Sequence, residues 1–230
     1  IKGTPGQRNS PTLMNAVYST RFFHDVRTDR LSLQMDHVVY NSDEFGTNYD
    51  EIISKLNAST EYRQLFFDTY QTKQITKQKI TSAMSTYVSS LHSFNSEFDR
   101  YVRGEVAAIS EEVKRGYNLF QGKAGCATCH FAPTFAGTVP PFFNETETEV
   151  LGIPSQKTAP FTLDDDLGRF DNKMIMERAY FFQRSFKTPT LRNVELTGPY
   201  MHNGVYETLE EVIDFYNDGG GVGLGLDVPY

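Results

Sequence analysis

The sequence predicts an all-α fold in two lobes, with long irregular loops. Three observations lead there. Apolar residues recur at helical spacing in several segments, and no stretch gives a convincing strand alternation. Helix-start signals stand at Ser110 and at the pair Thr208 and Glu211. Residues 131–175 hold clusters of Pro, Gly and Asp with little periodicity, a long loop of the kind that often wraps a ligand.

In chain order, residues 1–20 read as a loop rich in Gly, Pro, Ser, Thr and Asn. Short helices are predicted over 48–57 and 61–70, the second with Tyr62, Leu65, Phe66 and Tyr70 on one face. The longest periodic segment is 76–93, where Ile80, Met84, Tyr87, Val88 and Leu91 follow helical spacing. A short helix at 96–102 precedes a hinge at Gly104–Ala108. Ser110 then caps a helix with Glu111 and Glu112 in its first turn, where acids suit the helix dipole, and Val113, Tyr117 and Phe120 line one face. Gly122 and Gly125 end it. After the long loop, 186–204 looks extended and turn-rich. A last helix, 209–217, follows, its expected buried face made of Leu209, Val212, Ile213 and Tyr216. Gly219–Gly225 reads as flexible, and no internal repeat is visible.

The chain has 230 residues, 39 % of them apolar, which is enough for a core. Its 22 basic against 29 acidic residues give a net charge of −7. A nucleic-acid partner is excluded on that balance, because phosphate binding needs a basic face, whereas a basic protein partner suits it. No apolar run approaches the ~18 residues of a membrane span, and no signal peptide is visible. The abrupt start at Ile1 reads as that of a fragment.

The two cysteines are the informative residues. Cys126, Cys129 and His130 form C-x-x-C-H, the pattern of covalent haem c attachment. Two thiols three residues apart can add to the two vinyl groups of one haem, and the adjacent imidazole can ligate its iron. Three other readings compete. A Cys126–Cys129 disulfide needs no His130 and closes too short a loop to stabilise much. Zinc needs four ligands, and His24, His37, His92 and His202 stand at no finger-like spacing. A thioredoxin-type dithiol needs a βαβ context that the sequence lacks.

Several further segments accompany this motif. They are Gly6-Gln7-Arg8-Asn9-Ser10-Pro11-Thr12, Arg21-Phe22-Phe23-His24-Asp25, Asn41-Ser42-Asp43-Glu44-Phe45-Gly46 and Phe98-Asp99-Arg100-Tyr101. Lys114-Arg115-Gly116 and Leu119-Phe120 lead to the haem motif, and later come Gly168-Arg169-Phe170, Phe186-Lys187-Thr188-Pro189-Thr190-Leu191-Arg192-Asn193 and Leu196-Thr197-Gly198-Pro199-Tyr200-Met201-His202-Asn203-Gly204. Together they resemble the bacterial di-haem cytochrome c peroxidase family, which includes MauG-like enzymes. The resemblance implies a cytochrome c-like fold with two C-x-x-C-H motifs, of which this sequence holds one. Residues 1–105 would then be the distal part of a peroxidatic haem domain whose motif lies upstream. Residues 106–230 would be the electron-transfer haem domain, without the family's final helix.

Roles follow from the same resemblance. Glu44 matches the acid/base glutamate beside the peroxidatic haem, although on composition alone it is a solvated turn acid. Gln34 matches a distal-pocket glutamine of MauG-like members. His24 stands where the family has a Trp between the haems, which implies a relay position; the competing reading is a plain buried, hydrogen-bonded His, and an imidazole in place of the Trp counts against MauG-style hole hopping. Tyr216 matches the sixth iron ligand, Met in the peroxidases and Tyr in MauG-like members, with Met201 as its rival. Asn9, Thr197 and Pro199 match an interdomain calcium site, whose hard oxygen donors suit Ca²⁺. Ile1 falls where some peroxidases carry a distal His. The implied function is a periplasmic peroxidase. It reduces hydrogen peroxide with electrons from a small cytochrome c or cupredoxin and is compatible with a homodimer. The alternatives are a MauG-like oxidase of a protein or other large substrate, and a non-catalytic electron carrier.

Overall fold

The computed structural model describes residues 6–142, 144–145, 148–172 and 179–229. Ile1 lies outside them. Eight helices are described: α1 Leu31–Tyr40, α2 Tyr49–Ala58, α3 Thr60–Tyr70, α4 Lys77–Ser89, α5 Glu97–Val102, α6 Glu111–Gln121, α7 Leu209–Asn217 and the one-turn α8 Gly220–Gly223. The described strands form one small antiparallel hairpin, β1 Thr138–Val139 with β2 Asn144–Glu145, inside the predicted loop.

Caps explain most helix starts. The side chains of Asn48, Ser59, Thr76, Ser96, Ser110 and Thr208 each accept a backbone N–H two or three residues into their helices. Ser96 with Asp99, and Thr208 with Glu211, complete reciprocal capping boxes. α1 has no such cap, since Arg30 stands at its start.

Two clusters of buried side chains organise the chain. Val39, Tyr49, Ile75 and Ile80 form the first, flanked by Ile52, Ile53, Leu56 and Phe66 from α2 and α3. Ile153, Tyr206 and Phe215 form the second, with Leu151, Tyr200, Met201, Val205, Val212 and Leu224 around them. Polar contacts tie the segments together. Arg8 bridges Asp25 at 2.6 Å and Asp166 at 2.5 Å, and Arg192 pairs with Asp99. Burial opposes charge on Arg8, but the two carboxylates outweigh it and hold the guanidinium firmly protonated.

Three expectations are corrected here. Only part of the predicted α3 face packs inward: Phe66 joins the first cluster, while Tyr62 and Leu65 are exposed, because the cluster is filled chiefly from α1, α2 and α4. On α7 the buried residue is Phe215, 3 % exposed, whereas Ile213 and Tyr216 are 65 % and 49 % exposed. The helix is turned so that Val212 and Phe215 meet Ile153 and Tyr206. The glycine-rich end is packed rather than loose. A Cβ on Gly221 would lie 2.2 Å from the Gly152 carbonyl oxygen, so only glycine allows the approach.

Candidate haem-attachment site

α6 stops at Gly122, and Gly125 takes a left-handed conformation, φ 69°, that starts a tight helical turn at Cys126–Thr128. The amides of Cys129 and His130 both donate to the Cys126 carbonyl, at 3.3 and 3.0 Å, so one turn carries both thiols and the imidazole. The thiols are free, which overturns the disulfide reading. Among the described residues the cysteines join no group of three metal-ligating side chains. The cluster that exists is Asp164, Asp166 and His202, and it gives no support to a zinc site at the thiols. Its members have protein partners: Arg8 on Asp166, Asn203 and His202 on Asp164. The described elements include no βαβ unit to suit a thioredoxin-type dithiol.

His130 is held by the loop that follows it. Its Nδ1 donates to the Phe135 carbonyl at 3.0 Å, within a turn closed by Phe135 N on Phe131 O and Phe131 N on Ala136 O. A carbonyl only accepts, so Nδ1 carries the proton and Nε2 keeps its lone pair for a metal. Burial lowers the imidazole below its ordinary value, against the backbone hydrogen bonds of Phe135 and Pro189, which favours the neutral form a ligand needs. Phe98 bridges α6 and this turn, its ring 4.8 Å from Tyr117 and 5.5 Å from Phe135.

Tyr216 faces the thiols, although it is not a core residue. Its phenol is pushed up to about 12, first by burial of the hydroxyl end and then by Cys129, Cys126 and Glu149. Thioether formation removes both thiols from that list, and a ferric ion would reverse the preference by favouring phenolate. Met201 packs instead against the second core cluster. Glu149 went unnoticed in the sequence. Its backbone pairs with Phe186, and its carboxyl adds to the rise of the Cys129 thiol, which is raised chiefly by burial.

The residues assigned to the upstream haem lie apart from this site. Gln34 sits half-buried on α1. One face of that helix continues through His37 to Asn41, whose amide donates to Glu44 Oε1 at 3.0 Å. Arg27, Asp36, His37, Tyr40 and Asn41 line an open cleft of about 420 Å³. His24 donates from Nε2 to the Asn9 carbonyl at 3.0 Å, and burial pushes its pKa down to about 4. Asn9 in turn donates from its amide to the Pro199 carbonyl at 2.5 Å and from its backbone to His202 O at 2.6 Å. Of the three expected calcium ligands, Asn9 and Pro199 thus meet. The Thr197 hydroxyl is engaged with its own turn, donating to Val194 O.

Free paired thiols, a neutral imidazole with an open lone pair and a phenol beyond them, on a mostly helical frame, define the donor set of a c-type haem protein. A family model described as di-haem cytochrome c peroxidase matches residues 1–107. The chain is 33 % identical to the methylamine utilization protein MauG of Methylorubrum extorquens, over 94 % of this chain and 56 % of that protein. It is also 33 % identical to the cytochrome-c peroxidase IdrP2 of a Pseudomonas species, over 98 % and 65 % respectively. In structure it matches a MauG-like protein associated with microbial copper homeostasis. The TM-score is 0.80 and the identity 29 %, over 95 % of this chain and 64 % of that one. The chain belongs to the di-haem cytochrome c peroxidase and MauG-like family, and spans somewhat over half the length of these relatives.

Proposed function

We propose that this chain is the electron-relay part of a periplasmic di-haem peroxidase, with haem c attached at Cys126 and Cys129. Residues 1–105 belong to the upstream, peroxidatic domain and 106–230 to the relay domain. The observation that carries the reading is the convergence of the two free thiols, the Nδ1-anchored His130 and the Tyr216 phenol. Bound there, a haem supplies a one-electron store between a donor protein and the peroxidatic site. His130 offers Nε2 to the iron. Tyr216 would hold the iron through its phenol oxygen, which a ferric ion would favour in the deprotonated form. Asn9 with the backbone of Thr197 and Pro199 offers oxygen donors for Ca²⁺ between the domains. His24, neutral and buried, lies between them as the relay side chain. Glu44 takes a proton from the near peroxide oxygen and returns it to the far one as the O–O bond breaks, while Gln34 holds the distal pocket.

The acidic chain suits a small, basic cytochrome c or a cupredoxin as donor. A second reading, oxidation of a protein or other large substrate in the MauG manner, is favoured by one observation: a tyrosine rather than a methionine faces the thiols.

The full-length protein, matured where haem is attached, should contain two covalent haems by mass and turn over peroxide with a reduced cytochrome. A single haem with no turnover leaves only an electron carrier. Glu44→Gln should keep both haems and lose about 10²–10⁴-fold in turnover; near-wild-type rates remove Glu44 from the mechanism. Tyr216→Phe should open the iron to small ligands, whereas Met201→Leu should leave the spectrum unchanged. The reverse pair of results makes Met201 the ligand.

A further inference from the structure

Arg192 lies in the extended run after Pro189, is 9 % exposed, and reaches three separate segments. Nη1 and Nη2 donate to the two carboxylate oxygens of Asp99 in α5, at 3.0 and 2.7 Å. Nη1 also donates to the Ser93 carbonyl at 3.0 Å, and Nε donates to the Pro133 carbonyl at 2.7 Å. The guanidinium lies 4.2 Å from the Phe94 ring centre and 5.7 Å from that of Phe135. Its hydrogen bonds hold the Asp99 carboxyl well below the usual carboxylate range.

Pro133 opens the turn whose Phe135 carbonyl accepts the hydrogen bond from His130 Nδ1. The neighbours of Arg192 grip the same turn: Thr190 Oγ1 donates to Thr134 O at 2.6 Å, and Leu191 N to Phe135 O at 3.0 Å. Three successive carbonyls are therefore held by three successive residues, and the last of those residues is locked to α5. A buried ion pair is seldom more stabilising than apolar residues of the same volume, so stability alone is a weak reason for one here. A planar fork that fixes three acceptors at once is something a lysine cannot supply.

We propose that Arg192, locked by Asp99, is a positioning residue for His130. It fixes the Phe135 carbonyl as acceptor, and so sets the orientation of the imidazole and its electron donation toward a bound iron. The inference rests on the reading of His130 as the iron ligand. Hydrogen-bond partners of a ligating histidine raise its basicity. If the acceptor retreats, the imidazole donates less and the ferric state is less favoured.

The test is a spectroelectrochemical titration of the haem attached at Cys126 and Cys129 in the full-length protein, run beside thermal melting. Arg192→Lys and Asp99→Asn should lower the melting temperature and also raise the midpoint potential. Ile80→Ala, in the other core cluster, should lower the melting temperature with the potential unchanged. If Arg192→Lys does not accumulate folded, Thr190→Val reads the same quantity. It removes one bond to the turn, leaves the ion pair whole, and should raise the potential less. Variants that melt earlier at an unchanged potential overturn the proposal and make the pair a fold clamp. Wild-type protein without a c-type pyridine haemochrome band would instead overturn the haem reading beneath it.

Discussion

The stretch from Leu31 to Val102 and the stretch from Ser110 to Val228 are built by different means. The first is five helices, four of them with side-chain caps, closed over Val39, Tyr49, Ile75 and Ile80. Among its described residues the second has two full helices, several single helical turns and one small hairpin, and much of its path is irregular. Side chains there grip backbone instead: Arg192 on Pro133, Thr190 on Thr134, Asn203 on Pro154 and Gln156 on Pro160. On α7, Ile213 and Tyr216 stay open, and Tyr216 faces the thiols. A backbone pinned by hydrogen bonds while its apolar residues remain uncovered is shaped to close around a bound apolar group. We read the second stretch as one that a haem held at Cys126 and Cys129 would complete.

Removing the attachment should break the contrast most completely. Cys126→Ser with Cys129→Ser should abolish covalent haem. Hydrogen exchange should then speed up over 110–229 and stay unchanged over 49–89. Uniform loss of protection would mean that the two stretches depend on the group alike. Ile80→Ala attacks the other side. Truncating a buried isoleucine costs about 2–5 kcal/mol, and the urea midpoint should fall accordingly while haem content holds. The smallest effect concerns the seam. His24 has a folded pKa of about 4 against an ordinary 6.5. As pH falls the unfolded chain therefore takes up the proton first. The stability that the neutral ring contributes is complete above 6.5 and is lost toward pH 4, by at most about 1.4 kcal/mol per pH unit. His24→Gln should flatten the urea midpoint over that window, and an unchanged slope would assign the titration to another group.

Legibility followed the same division. α2, α3 and α4 were readable from their apolar period, and α6 and α7 from a capping side chain as well. α1 was not. Arg30 offers no cap, and Val38, Val39 and Tyr40 are residues that favour strands. On α7 the expected stripe of Leu209, Val212, Ile213 and Tyr216 left out Phe215, which Ile153 and Tyr206 bury, and those partners are not in the helix's own sequence. The haem motif was legible because five consecutive residues spell its chemistry. Arg192 with Asp99 was not, since its partners lie 93 positions apart and no local pattern joins them. Glu149, whose role depends on meeting Cys129 in space, gave no local signal either.

The grip of Asn9 on Pro199 has a consequence for how the molecule comes together. That single contact spans 190 positions. Considered as a polymer, the chain between them is a ring, and closing a ring of that size costs about 5 kcal/mol of configurational freedom. Local helices form before such a closure, because their contacts are near in sequence. The clasp is thus a late event in assembly. Once shut, it keeps both sides of the ring in register, so that a protease cut in an exposed loop between them yields two pieces that still travel together.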